Sequence, residues 1–177
     1  MADMQTIGLI GGMSWHSTVE YYRVINELVA ERRGGHASAR VALQSLDFAE
    51  IRDCQLRDDW DRAGRLLAEA AQQCERAGAD LVLICTNLMH RVADQVEAAV
   101  DIPLLHIADA IADAANERGW SRVGVLGARW VMEEDFYAGR RGPSRRAAGT
   151  RGSRRSRATG APPWRWRGRR DASPRAR

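Results

Sequence analysis

Five short apolar runs, each closed by a turn and followed by a helical pattern, set the strongest limit on what this chain can become. "TIGLI" (Thr6–Ile10) stops at Gly11-Gly12, "RVALQSL" spans Arg40–Leu46, and "ADLVLIC" spans Ala79–Cys85. "PLLHI" begins at Pro103, and "RVGVLG" spans Arg122–Gly127. Runs of this length, rich in Val, Ile and Leu, suit strands buried on both faces. Between the first two, Ser17-Thr-Val-Glu20 has capping-box spacing and predicts a helix start, with Tyr21, Ile25, Leu28 and Val29 following at helical intervals until Gly34-Gly35. "DDWDRAGRLLAEAAQQCERAG" predicts an Ala- and Leu-rich helix ending on Gly78. "HRVADQVEAAV" and the stretch from Ala108 to Arg118 predict two more, and "WVMEEDFY" opens a last one. Strands alternating with helices at these lengths predict an α/β fold with a doubly wound, mainly parallel sheet.

That pattern stops near residue 137, and the charge changes with it. Residues 1–137 hold 13 Arg against 22 Asp plus Glu, a net charge of −9; residues 138–177 hold 14 Arg and one Asp, a net charge of +13. From Ala138 onward there is no Val, Ile, Leu, Met, Phe or Tyr. Such a segment buries too little apolar surface to offset chain entropy, so the expected organisation is an α/β lobe over 1–137 and a disordered, Arg-rich tail over 138–177. Three origins compete for the tail. Arginine clusters interleaved with Trp164 and Trp166 would suit nucleic-acid phosphates and bases. A plain solubilising tail is the second, and an altered reading frame the third. Every tail residue except Asp171 is encoded with G or C at the second codon position, and the chain has no lysine against 27 arginines. Slipping the frame of GC-rich DNA, so that third positions become second positions, yields this composition. A frameshift near residue 138 is therefore the favoured reading, and nucleic-acid binding the disfavoured one.

No window approaches the roughly 18 continuous apolar residues of a membrane span, and no secretory pattern opens the chain. Three cysteines, Cys54, Cys74 and Cys85, are an odd number without metal-type spacing, and the four histidines add no ligand pattern. Reduced thiols in a cytoplasmic protein, with no metal and no membrane, are expected.

Cys85 is the strongest candidate for chemistry. It ends a buried parallel strand and precedes Thr86-Asn87 and a helix, where open α/β sheets bind ligands. Backbone N–H groups and a helix start there would favour a thiolate; a cysteine merely packed at a strand end is the alternative. Cys74 reads as core and Cys54 as a loop residue beside Gln55. His90 and His106 read as hydrogen-bonded structural residues, and His16 has no evident partner. The opening loop, Gly8-x-x-Gly11-Gly12-Met13-Ser14, has neither dinucleotide spacing nor a P-loop lysine. Its backbone amides suit a carboxylate better than a nucleotide.

"IGLIGGMSWHSTVEYYRVINE", "SLDFAEI", "GADLVLICTNLMH", "IPLLHIADA" and "VGVLGARWVMEEDFY" together resemble the aspartate/glutamate racemase family, in its aspartate-racemase-like branch, from about Thr6 to Tyr137. The resemblance implies one lobe of a two-lobe fold. It implies a cysteine from each lobe acting on opposite faces of an acidic amino acid, with no cofactor and no metal. It places the first-lobe catalytic cysteine at Cys85, substrate contacts at Thr86 and Asn87, and pocket-lining residues at Met13, Ser14 and Gln55. The implied partner is a small amino-acid substrate, and a homo-oligomer is compatible. The family usually has Glu where His16 stands and Thr where Leu88 follows Asn87. More seriously, its second-lobe Gly-Cys-Thr-Glu motif has no counterpart, since no cysteine follows Cys85. The expectation is an amino-acid racemase lobe, truncated and inactive as written, with a large exposed apolar face. The alternatives are an amino-acid-binding or interaction module, and a nucleic-acid binder working through the tail.

Overall fold

The computed structural model of the chain describes residues 4–138 and 165–166. The chain divides into two compact units, Met1–Ile107 and Ala108–Arg177. Apart from Ala138 and Arg165–Trp166, the expected disordered tail lies outside the described residues.

The first unit is built on a parallel sheet of β1 (Thr6–Gly11), β2 (Arg40–Ser45) and β3 (Leu81–Ile84), in the order β2-β1-β3. Ile7 is opposite Val41 on one side and Leu81 on the other, and Ile10 is opposite Ile84. The fourth apolar run contributes one bridge, Val82 with Leu104, in which Val82 N–H donates to Pro103 O and Leu105 N–H to Val82 O. Pro103 has no N–H to extend that ladder. The fold is α/β and doubly wound, as the sequence pattern predicts.

Helices cover both faces. α2 (Phe48–Arg57) and α3 (Trp60–Arg76) follow β2. α3 buries Ala63, Gly64, Leu67, Ala70, Ala71 and Cys74, a stripe at helical spacing that joins Ile10, Val82 and Ile84 in the main core. Small residues let α3 come close: a Cβ on Gly8 would lie 2.9 Å from Cys74 Cβ and 2.8 Å from Val82 Cγ1. The opposite face belongs to α1 (Trp15–Arg33), since a Cβ on Gly11 would meet Thr18 Cγ2. Gly8 and Gly11 are three residues apart in one strand and so point to opposite faces. Leu9 and Cys85 are fully buried but lie outside the α3-side core, as that alternation requires.

One helix start and one whole helix differ from expectation. α1 begins at Trp15 rather than Ser17, and its N-cap Ser14 has φ 113°, with no side-chain cap bond. Ser17 therefore sits inside the helix, and Glu20 pairs with Arg23 at 2.7 Å instead of closing a capping box. The local signature lost to a tertiary contact described below. Cys54 is also not in a loop but buried in α2, whose N-cap Asp47 accepts from Ala49 N–H at 2.8 Å.

After β3 come a 3-10 turn (Leu88–Val92) and α4 (Ala93–Ala99), where the sequence suggested one helix. α5 (Ile107–Glu117) starts on the last residue of the first unit. In the second unit β4 covers only Arg122–Val123 and pairs in parallel with β5 (Arg165–Trp166). α6 (Arg129–Glu133) and α7 (Asp135–Ala138) are single short turns of helix. No helix among the described residues is long and apolar enough to cross a membrane.

Candidate functional site

In the order β2-β1-β3, the helix after β1 covers one face and those after β2 the other. The strand order reverses at the β1–β3 pair, which is where an open α/β sheet leaves a crevice at the carboxyl ends of its strands. Two segments emerge there. Gly12-Met13-Ser14 leaves β1, and Cys85-Thr86-Asn87 leaves β3.

The β1 turn is tightly specified. Gly12 has φ +84°, and a Cβ on it would lie 2.1 Å from Leu46 O, so a side chain is excluded by conformation and by space. Its N–H donates to Thr18 Oγ1 at 3.0 Å. Ser14, at φ 113°, occupies a region L-residues rarely adopt. Its carbonyl accepts from the hydroxyls of Ser17 (2.9 Å) and Thr18 (3.4 Å), which helps to hold the strained position.

The two segments are joined. Cys85 N–H donates to Ile10 O at 2.9 Å, and the Ser17 hydroxyl lies 2.7 Å from Cys85 O. One hydroxyl proton serves either Ser14 O or Cys85 O, so Ser17 links the β1 turn to the end of β3. This contact explains why Ser17 sits within α1 rather than at its cap.

The structure places the sequence-derived residues unevenly around this junction. Cys85 is 1% exposed, Thr86 is half-buried and Asn87 is exposed. Ser14 is half-buried on the facing turn, whereas Met13 is buried within the core that includes Cys54 and Met89. Gln55 reaches the β3 segment indirectly, with its Nε2 3.4 Å from Met89 Sδ and its Oε1 held by Arg52 at 3.2 Å.

The electrostatics of Cys85 differ from the sequence expectation. Burial pushes its thiol up to about 12, and the neighbouring Cys74 adds to the rise. The expected thiolate stabilisation fails because no regular helix starts here: a five-residue 3-10 turn follows, too short to offset desolvation. Cys54 and Cys74 are likewise raised by burial. Tyr21 on α1 is raised by burial too, with a smaller contribution from Cys85, which puts its phenol in the electrostatic neighbourhood of the thiol. In the lobe as it stands, Cys85 is a protonated thiol at neutral pH.

Sequence reasoning gave too little weight to Ser17, Thr18, Tyr21 and His90. The first three share the α1 surface turned to the sheet, a position that helical spacing from Ser14 could have indicated. His90 is buried with its Nδ1 2.8 Å from Thr86 O and 3.2 Å from Asn87 O, and its Nε2 accepts from Ile107 N–H at 3.2 Å. Buried His106 meets its ring edge-to-face, with centroids 4.5 Å apart. His16 rests against Trp15 at 3.7 Å between ring centroids. Among the described residues, no three His, Cys, Asp or Glu side chains group as a metal site.

Comparison with known proteins agrees with this architecture. Residues 10–154 match the Asp/Glu/hydantoin racemase family. A protein from Yersinia pestis assigned as an Asp/Glu racemase is 50% identical, with a TM-score of 0.74, over 77% of this chain and 59% of that one. An aspartate racemase homologue from Pyrococcus horikoshii OT3 is 34% identical, with a TM-score of 0.69 and the same coverage. The aspartate racemase of Picrophilus torridus, at 18% identity and a TM-score of 0.62, shares the fold. The chain thus spans just under six tenths of the length of these solved structures. The chain belongs to the Asp/Glu/hydantoin racemase family.

Proposed function

We propose that residues 1–137 are one lobe of a cofactor-independent racemase of aspartate or glutamate, with Cys85 as the single catalytic thiol this chain supplies. The observation that carries the reading is the position of Cys85. It stands at the carboxyl end of β3, on the strand pair where the sheet order reverses, and is tied through Ser17 to the turn after β1. Thr86 and Asn87 would bind the carboxylate and amino groups of the substrate, with Ser14, Met13 and Gln55 shaping the pocket wall.

In this scheme one thiolate takes the α-proton and leaves a carbanion whose charge spreads into the carboxylate. A thiol on the opposite face then gives its proton to the same carbon, so the two sulfurs exchange protonation states in each turnover. The chain holds no cysteine after Cys85, and on this reading the Arg-rich residues 138–177 come from a shifted reading frame. On this reading residues 1–137 supply one of the two thiols and do not racemise by themselves. The exposed apolar side chains of α1, among them Trp15, Val19 and Tyr22, fit a lobe evolved to be covered.

Calorimetry of the full chain with the L and D forms of aspartate and glutamate tests the lobe reading. Binding of at least one, weakened in Asn87→Ala, is expected. No heat with any of the four at millimolar concentration would sink it. A chiral assay tests the inactivity: formation of D-aspartate that disappears in Cys85→Ser would overturn it.

A further inference from the structure

We propose that His90, held as its Nδ1–H tautomer, is the positioning residue that sets the peptide planes of Thr86 and Asn87 beside Cys85. The proposal rests on the racemase-lobe reading for what those residues contact. Its structural content rests on His90 alone.

The imidazole is 2% exposed, and its two nitrogens face opposite kinds of group. Nδ1 lies 2.8 Å from Thr86 O and 3.2 Å from Asn87 O, both of which can only accept. Nε2 lies 3.2 Å from Ile107 N, whose N–H can only donate. The proton is therefore on Nδ1 and the lone pair on Nε2. The backbone N–H of His90 also donates to Asn87 O at 3.3 Å, so one residue holds the carbonyls of two consecutive peptides.

A trans peptide is planar, with its C=O and N–H antiparallel. Fixing the Thr86 and Asn87 carbonyls toward the imidazole therefore turns the N–H groups of Asn87 and Leu88 away from it. It also fixes the direction in which the Thr86 and Asn87 side chains leave the backbone. No regular helix does this work, because only a 3-10 turn follows. The far nitrogen anchors the ring to the first residue of α5, and His106 closes its side edge-to-face at 4.5 Å. His90 thus spans the segment after β3 and the segment after Leu104, where a packing residue would need neither nitrogen.

Two substitutions separate the two nitrogens. His90→Asn places an N–H near the Nδ1 position and removes the acceptor; His90→Gln carries an acceptor near Nε2 and loses the short-range donor. In the full chain, His90→Asn should keep the carbonyl carbon shifts of Thr86 and Asn87 near their native values, while the Ile107 amide exchanges tenfold faster or more. His90→Gln should do the reverse. If both variants move both reporters alike, His90 acts only by packing and the proposal fails. Long-range proton–nitrogen spectra of the unmodified chain give a measurement independent of any variant's folding: a proton on Nε2 overturns the assignment. Aspartate affinity should survive in His90→Asn and fall at least tenfold in His90→Gln, and an equal fall in both would refute positioning of the substrate contacts. If the unmodified chain binds no acidic amino acid, the lobe reading fails, and the carbonyl shifts still decide the role of His90.

Discussion

Alkylation of Cys85 by iodoacetamide should be slow at neutral pH and should keep accelerating well into the alkaline range. Burial pushes this thiol from an ordinary value of 9.0 up to about 12. At about pH 8 that shift lowers the thiolate fraction about a thousandfold. A more basic thiolate is also a better nucleophile, and a Brønsted slope of roughly 0.4–0.5 returns a factor of about 20. The net electronic slowing is about fiftyfold relative to an unfolded-chain cysteine, before any steric protection from its 1% exposure. Peptide-resolved mass spectrometry separates Cys85 from Cys54 and Cys74, which are also raised by burial. The logarithm of the Cys85 rate should climb with unit slope from about pH 7 to beyond pH 10 without levelling. A plateau below about pH 9, with the fold intact, would mean that backbone amides and the following turn do stabilise the thiolate. The desolvation argument would then be wrong.

Three further outcomes follow from the backbone geometry and from the burial of Cys85. Gly12→Ala should prevent stable folding or cost at least about 3 kcal/mol, because φ +84° and a Cβ 2.1 Å from Leu46 O act together. Gly34→Ala, at φ 72° and ψ 178° in a region essentially reserved for glycine, should cost about 1–3 kcal/mol in urea unfolding from backbone strain alone, since open space surrounds it. The stability carried by protonated Cys85 should be complete below about pH 9 and lost as pH rises toward about 12, since the unfolded thiol ionises first. The raised value corresponds to about 4 kcal/mol at most, and Cys85→Ala should flatten that part of the pH–stability curve.

Strands and helices were legible where burial leaves a pattern in the chain itself. "ADLVLIC" is apolar because Val82 and Ile84 of β3 enter the core while Leu81 and Leu83 are half-buried on the other face, and α3 shows its stripe because one side packs on the sheet. α2 was missed because only Ile51 and Cys54 are buried among its ten residues, so no period stands out. "RVGVLG" yields a two-residue strand whose partner lies at Arg165–Trp166, a pairing no local window contains. The position of Cys85 was readable from topology, but its protonation state was not. That state depends on what closes over the thiol, including α1 and the Ser17 contact that displaced the capping box.

The buried thiol and the missing second thiol give two separate reasons for inactivity on the proposed reading, and isotope exchange distinguishes them. A single base on one face can remove the α-proton of L-aspartate and return a solvent deuteron to the same face. Exchange with retention needs no second lobe, only a thiolate at Cys85. With the thiol at about 12, the ionised fraction at about pH 7.5 is about 3 in 100,000. The chain should therefore incorporate no measurable deuterium into bound L-aspartate in heavy water. Deuterium incorporation with full retention of configuration, abolished in Cys85→Ser, would show that Cys85 ionises readily in the lobe. The absent second cysteine would then be the sole barrier. No exchange at neutral pH, with exchange emerging as the pH approaches about 10, would instead assign the block to desolvation. In that case the other lobe must supply more than a second thiol. It must also bring the charge or hydrogen-bond donors that lower the first one by several units, because general-base catalysis is most effective when the base titrates near the working pH.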